Sequence, residues 1–207
     1  MTDNPGTGGR IAYLPEDEAR ALGKKFGVPS SMSHLNVFRD LLNHPELAKA
    51  VSGLLSMLLW KANRLDVRLR ELIIMRIGWR AGSLYEWTQH WNVARRVGMD
   101  EADILAVRDW PSSAALNDAD RAVLAATDET LDQGRISDAT WRLCREHVGG
   151  DAELAEMVVA IGNWRMFSEL LQSLQIPLEP GRALAAGRHG AAVGQSLTAA
   201  AFLGIKA

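Results

Sequence analysis

Cysteine is nearly absent from this 207-residue chain, with Cys144 standing alone. A single thiol excludes an intrachain disulfide, a Cys-x-x-Cys redox pair and a cysteine-built zinc site. Excess charge of one sign is missing too. Lys and Arg number 23 against 25 Asp and Glu, a formal net charge of −2, with the two signs interspersed. That balance gives no electrostatic reason to expect nucleic acid or an anionic membrane as partner. The apolar runs are short and broken by charges, far below the roughly 20 residues that span a bilayer. The opening MTDNPGTGGR has no basic segment followed by an apolar one, so a secretory leader is not expected and a cytoplasmic protein is the default. Alternating runs of strand length bounded by hairpin turns are also missing, which argues against a sheet.

What the sequence does contain is helix punctuation. Pro15 precedes an acidic turn, and Gly27 stops that segment. Ser33 is expected to cap a second helix through Asn43, and Pro45 to open a third that reaches about Ala62. Asp66 is a candidate cap for a helix through Arg80; Gly82 and Ser83 break it, and a further helix spans Leu84 to Val97 before Gly98. Asp100, Asn117, Ser137 and Asp151 precede later periodic stretches, the last of them running from Ala152 to Leu174. The fold expected is all-α, one bundle of about eight to ten helices over residues 1–180. Residues 1–12 form a surface arm and 181–207 an Ala/Gly-rich tail with a small apolar group at Leu197, Phe202, Leu203 and Ile205. One internal echo links Glu71-Leu-Ile-Ile and Trp79-Arg80 to Glu156-Met-Val-Val and Trp164-Arg165 at equal spacing, suggesting two helices in similar positions.

Three residues stand out chemically. Glu86 and His90 are four apart on one helix, so their side chains meet, and a carboxylate there favours and orients an imidazolium. Tyr85, Trp87 and Trp91 surround the pair with rings, unlike an ordinary solvated face. Glu71 is flanked by Val67, Leu72, Ile73, Ile74, Met75 and Gly78, so it is expected to be at least half buried, where a carboxylate must be paired or neutral. Either reading stays open: a structural ion pair to Arg68 or another arginine, or a carboxyl held near neutrality to handle a proton.

The run RLRELIIMRIGWRAGSLYEWTQHWNVARRVGM resembles the core of the carboxymuconolactone decarboxylase family, which includes the alkylhydroperoxidase D-like proteins. The likeness extends from about Leu35 to Pro180. In the redox branch a glutamate opens one helix and Cys-x-x-Cys-x-x-x-His follows on the next. Here Glu71 matches the glutamate and His90 the histidine, whereas Ser83 and Glu86 stand where the two cysteines would be. Serine and glutamate cannot carry thiol chemistry, and Cys144 reads as a small buried core residue, so the resemblance is to the decarboxylase branch. It implies a helical homo-oligomer, trimer or hexamer, acting on a small-molecule substrate. No cofactor is implied, because the electrons released with carbon dioxide can flow into a conjugated lactone.

On that reading His90 is the acid/base, Glu86 tunes and orients it, and Glu71 is a second proton-handling group. Arg76 and Arg80, one turn apart, are candidates to grip a substrate carboxylate, and Tyr85, Trp79, Trp87 and Trp91 to wall the pocket; each also reads as plain ion pairing or core. Glu71→Gln and His90→Gln are expected to abolish turnover with the melt nearly unchanged. Three alternatives remain: a non-catalytic binding or assembly protein of the same fold, a metal enzyme using Glu71, Glu86 and His90, and a residual redox role. Against the metal, His34, His44, His147 and His189 share no ligand spacing with the trio.

Overall fold

The computed structural model of the chain describes residues 9–180. Among them are ten α-helices, one 3-10 turn at Trp110–Ser112 and no strand. The tail at 181–207, with its apolar group and His189, and most of the arm lie outside the described residues.

Helices α1 (Glu16–Phe26), α2 (Ser30–Ser33), α3 (Asn36–Leu41) and α4 (Pro45–Leu59) come first. Helix α1 carries Glu16, Asp17 and Glu18 in its first turn, against the positive end of the helix dipole, and closes at Gly27 with φ 81°. The single helix expected from Ser33 to Asn43 is instead two. Pro29 opens an earlier turn, and Leu35 is extended at ψ 140°, so Ser33 ends α2 and caps nothing. Helix α4 starts with Pro45 at its first position and stops at Leu59, short of Ala62, which takes a positive φ of 55°.

The site-bearing elements follow. They are α5 (Val67–Ala81), α6 (Leu84–Arg96), α7 (Glu101–Ala106), α8 (Asp118–Gln133), α9 (Asp138–His147) and α10 (Asp151–Leu174). Asp66 caps α5 by accepting from the backbone N–H groups of Arg68 and Leu69. Asn117 and Asp120 form a reciprocal capping box on α8, and Ser137 caps α9. Asp100 precedes α7 without a side-chain capping bond. No described helix is long and apolar enough to cross a membrane.

The chain divides into two compact units. The first joins α1–α4 with residues 170–180, and its buried residues include Val28, Met32, Phe38, Leu42, Leu55 and Leu58. The second runs from Arg64 to Glu169. At its centre is α5, buried continuously from Leu69 to Gly78. A helix enclosed on all sides must still partner whatever charge it carries, and α5 carries Arg70, Glu71 and Arg76 inside that stretch.

Candidate active site

Two helices meet at a break that glycine makes. Gly82 ends α5 in the left-handed region at φ 66°, turning the chain directly into α6. Gly78, one turn earlier, lets the two backbones approach, since a Cβ there would stand 3.3 Å from the backbone nitrogen of Trp87 and 3.6 Å from the Cβ of Glu86. This close antiparallel return brings α6 residues 86–90 beside α5 residue 71.

Glu71, Glu86 and His90 converge there. Nδ1 of His90 lies 2.8 Å from Oε2 of Glu71, and Nε2 lies 3.5 Å from Oε2 of Glu86. Relative exposures are 0% for Glu71, 5% for Glu86 and 9% for His90. The other oxygen of Glu71 accepts from Nε and Nη2 of Arg70 at 3.0 and 2.9 Å. Each carboxylate oxygen of Glu71 thus has its own cationic or N–H partner. The arginine involved is the chain neighbour rather than Arg68, which turns to Asp103 and Asp120 on α7 and α8.

The electrostatics divide the two glutamates. Burial pushes the Glu71 carboxyl up, but His90 and Arg70 outweigh it and hold the group below the ordinary carboxylate range. Glu71 is therefore an ionised anchor, which favours the ion-pair alternative left open by the sequence over a carboxyl near neutrality. Among the described residues no arginine pairs with Glu86. Burial first, and the charge of Glu71 after His90's opposing pull, raise its carboxyl to about 7. The group poised to hold a proton at neutral pH is thus Glu86, for which the sequence suggests only a tuning role. Burial pushes His90 down, and the charge and hydrogen bond of Glu71 more than offset that, leaving the imidazole raised.

A fourth residue completes the group. Trp164 of α10 directs its indole N–H at Nε2 of His90, 3.3 Å away, with the rings edge-on at 88°. Nothing in the sequence by itself assigns a function to Trp164. The available signal is the echo that aligns it with Trp79, and the structure separates the two: Trp164 reaches His90, whereas Trp79 lies 5.8 Å from Trp87, which in turn lies 5.9 Å from Trp91. The two glutamates of the echo do share one property. Glu156, like Glu71, is buried, and it accepts from the backbone N–H of Arg64.

The two arginines expected to hold a carboxylate are already occupied. Arg76 donates from Nε and Nη2 to Asp128 at 2.8 and 2.7 Å, and from Nη1 to the carbonyl oxygens of Val107 and Arg108. Arg80 donates to Asp128 and Asp132. Both tie α5 to α8, because a buried guanidinium needs acceptors and α8 supplies them. Arg108 differs. Its guanidinium lies 4.8 Å from the Trp79 ring and 5.1 Å from the Trp87 ring, its buried Nε has no hydrogen-bond partner, and no described carboxylate pairs with it. Burial accordingly lowers its affinity for the proton.

Of the remaining candidates, Tyr85 and Trp87 are buried. Ser83 is buried at the start of α6, its hydroxyl without a partner and not used as a cap. Cys144 is fully buried, its thiol directed at the carbonyl of Ala122; burial, then the charge of Glu129, pushes it up to about 11, the profile of an inert core residue. Among the described residues no set of three or more His, Cys, Asp or Glu side chains is arranged to hold a metal ion. A cavity lined by Arg80, Asp132, Arg165 and Glu169 and another lined by Arg20, Lys24 and Ser33 contain none of the three converging residues.

Residues 45–129, which include Glu71, Glu86 and His90, match the model of the carboxymuconolactone decarboxylase family. No curated protein matches the sequence. Among solved structures, one from Agrobacterium tumefaciens, a protein of unknown function associated by name with AhpD antioxidant defence, is 25% identical with a TM-score of 0.60, covering 66% of this chain and 94% of its own. An uncharacterized peroxidase-related protein from Silicibacter sp. TM1040 is 16% identical, with a TM-score of 0.69 over 88% of this chain and 97% of its own. The debrominase Bmp8, in a cysteine-to-alanine variant bound to 2,3,4-tribromopyrrole, is 17% identical with a TM-score of 0.64 over 86% of this chain and 94% of its own. The core of the chain at residues 45–129 thus matches the carboxymuconolactone decarboxylase family, and its described helices are arranged as in the AhpD-like structures.

Proposed function

We propose that this protein is a cofactor-independent lyase or proton-transfer enzyme of the decarboxylase type, acting on a small carboxylated lactone or related acid. The observation that carries the proposal is the pairing of an ionised Glu71 with a raised Glu86 across one imidazole. Two carboxyl groups whose surroundings push their proton affinities apart are what general acid–base chemistry needs at neutral pH.

In the reaction proposed, the bond between the substrate carbon and its carboxylate breaks and carbon dioxide leaves. The electron pair moves into the conjugated lactone carbonyl as an enolate. Glu86 and His90, sharing one proton, return it to carbon, and water restores it. Glu71 fixes the ring through Nδ1, and Arg70 keeps Glu71 ionised. The substrate carboxylate needs a cation, and Arg108, on the faces of Trp79 and Trp87, takes the part that Arg76 and Arg80 cannot. Thiol peroxidase chemistry has no support, since Ser83 and Glu86 occupy the cysteine positions and Cys144 is enclosed. A homo-oligomer, trimer or hexamer, in the cytoplasm belongs to the same proposal, and light scattering of the purified protein tests the assembly.

The near-complete burial of all three groups supports a second reading, a non-catalytic binding or assembly protein in which they are closed ion pairs. One experiment separates the two. Wild type, Glu86→Gln and His90→Gln are incubated with a panel of carboxylated lactones and unsaturated dicarboxylic acids, and carbon dioxide release is followed. Turnover by wild type that survives chelator treatment and is lost in both variants supports the lyase. Turnover unaffected by either substitution, or absent across the panel, removes it. Loss on chelation alone points to a metal-dependent enzyme.

A further inference from the structure

The contact between Trp164 and His90 says more than that two rings pack. An indole nitrogen can only donate, so the Nε2 it faces must present a lone pair. On the opposite side of the ring, the ionised carboxylate of Glu71 can only accept, so Nδ1 must carry hydrogen. These two contacts, 3.3 Å and 2.8 Å, are satisfied together by one form of the ring: neutral, protonated at Nδ1, bare at Nε2.

We propose that Trp164 is a positioning residue that holds His90 in this Nδ1–H tautomer and opposes its conversion to the imidazolium, so that the proton shared across Nε2 rests on Glu86. The proposal deepens the acid–base reading above and rests on it for its catalytic meaning, though the tautomer itself can be read without substrate. The charged groups facing the ring are Glu71 and Arg70 from α5 and Glu86 from α6, with Trp164 the neutral donor from α10. The two carboxylates pull the ring towards the charged form, and Arg70 and burial pull it back. The indole N–H adds an influence of a different kind, because it favours only the neutral ring. Protonating Nε2 would set two N–H donors against each other inside a site that water barely reaches. The cost of an unmade hydrogen bond there falls wholly on the imidazolium.

The consequence is a direction for proton movement. With Nε2 bare and 3.5 Å from the Glu86 carboxyl, whose hold on a proton burial strengthens, the proton passes from Glu86 to Nε2 only when Trp164 gives up its contact. Release of the indole would accompany each transfer, and the resting site keeps its acid on Glu86.

Nitrogen-15 NMR of histidine-labelled full-length protein tests this, with His90 assigned by loss of its signals in His90→Gln. At a pH where the ring is neutral, Nδ1 is expected in the protonated range and Nε2 in the acceptor range. Trp164→Phe keeps most of the ring and removes the N–H; its His90 titration is expected to move upward by about one pH unit, a tenfold change worth about 1.4 kcal/mol. A neutral wild-type ring protonated at Nε2 overturns the proposal without any variant being needed. So does an unchanged titration in a folded Trp164→Phe protein. Neither result depends on turnover, so the positioning role can fail while the lyase stands, and the reverse.

Discussion

Glu71 and His90, nineteen positions apart in sequence, close to 2.8 Å in a site where the carboxylate has no exposure to solvent. Because Arg70 holds the other oxygen of Glu71, this single contact joins an ion pair inside α5 to the buried face of α6. The distance makes the glutamate part of what holds the two helices together.

Replacing Glu71 by Gln should therefore cost folding stability, contrary to what the sequence suggests. The amide leaves Arg70 buried opposite a neutral group, and breaking a buried pair from one side costs about 3–5 kcal/mol. Chemical denaturation at neutral pH should show a fall of that order. The difference from wild type should shrink on acidification, because the folded-state proton affinity of Glu71 is depressed, so its stabilisation is present above about 4.5 and is lost as pH falls. An unchanged melt would contradict the geometry.

Glu86→Gln should do the opposite in a defined window. The folded carboxyl titrates at about 7 against an ordinary 4.5, so the folded state holds an extra proton between those values. Wild-type stability from this group is complete below 4.5 and declines as pH rises to about 7, by a few kcal/mol on the linkage relation. The glutamine variant has no such proton to lose. Stability measured from about pH 4.5 to 8 should fall less steeply in Glu86→Gln than in wild type. Parallel curves would mean that Glu86 is an ordinary carboxylate.

Arg76 and Arg108 should separate by phenotype. Arg76→Lys keeps the charge but loses the two-point contact with Asp128 and the bonds to the Val107 and Arg108 carbonyls. It should destabilise the fold by about 2 kcal/mol, with KM for any substrate little changed. Arg108→Gln has no ion pair to break; it should leave the melt within about 1 kcal/mol of wild type and raise KM for a carboxylated substrate about tenfold or more, one hydrogen-bonded charge contact. If Arg76→Lys alone moves KM, the carboxylate grip belongs to the other arginine.

Much of this is legible in the chain because local rules dominate in helices. Asp66, Gly82 and Gly98 sit where cap and stop chemistry requires them, and the Glu86–His90 spacing alone puts two side chains on one face. The missed boundary at Ser33 has a local cause as well, since Pro29 and the extended Leu35 are weaker marks than a serine before an apolar run. What cannot be read is long range. Nothing in periodicity says that α8 offers Asp128 to Arg76, or that Trp164 crosses 74 positions to reach His90. The protonation of the two glutamates is unreadable for the same reason. The ionisation of Glu71 depends on His90 closing on it and on Arg70 folding back, and the raised carboxyl of Glu86 on burial and on the charge of Glu71 across the ring.

The most direct measurement is a carbon-13 NMR pH titration of the Glu86 side-chain carboxyl in glutamate-labelled protein, with its signal identified by its loss in Glu86→Gln. A midpoint near 7 is the result predicted for an acid kept ready at physiological pH. A midpoint in the ordinary carboxylate range, near 4.5, would leave the site with no stored proton and would contradict the account at its root.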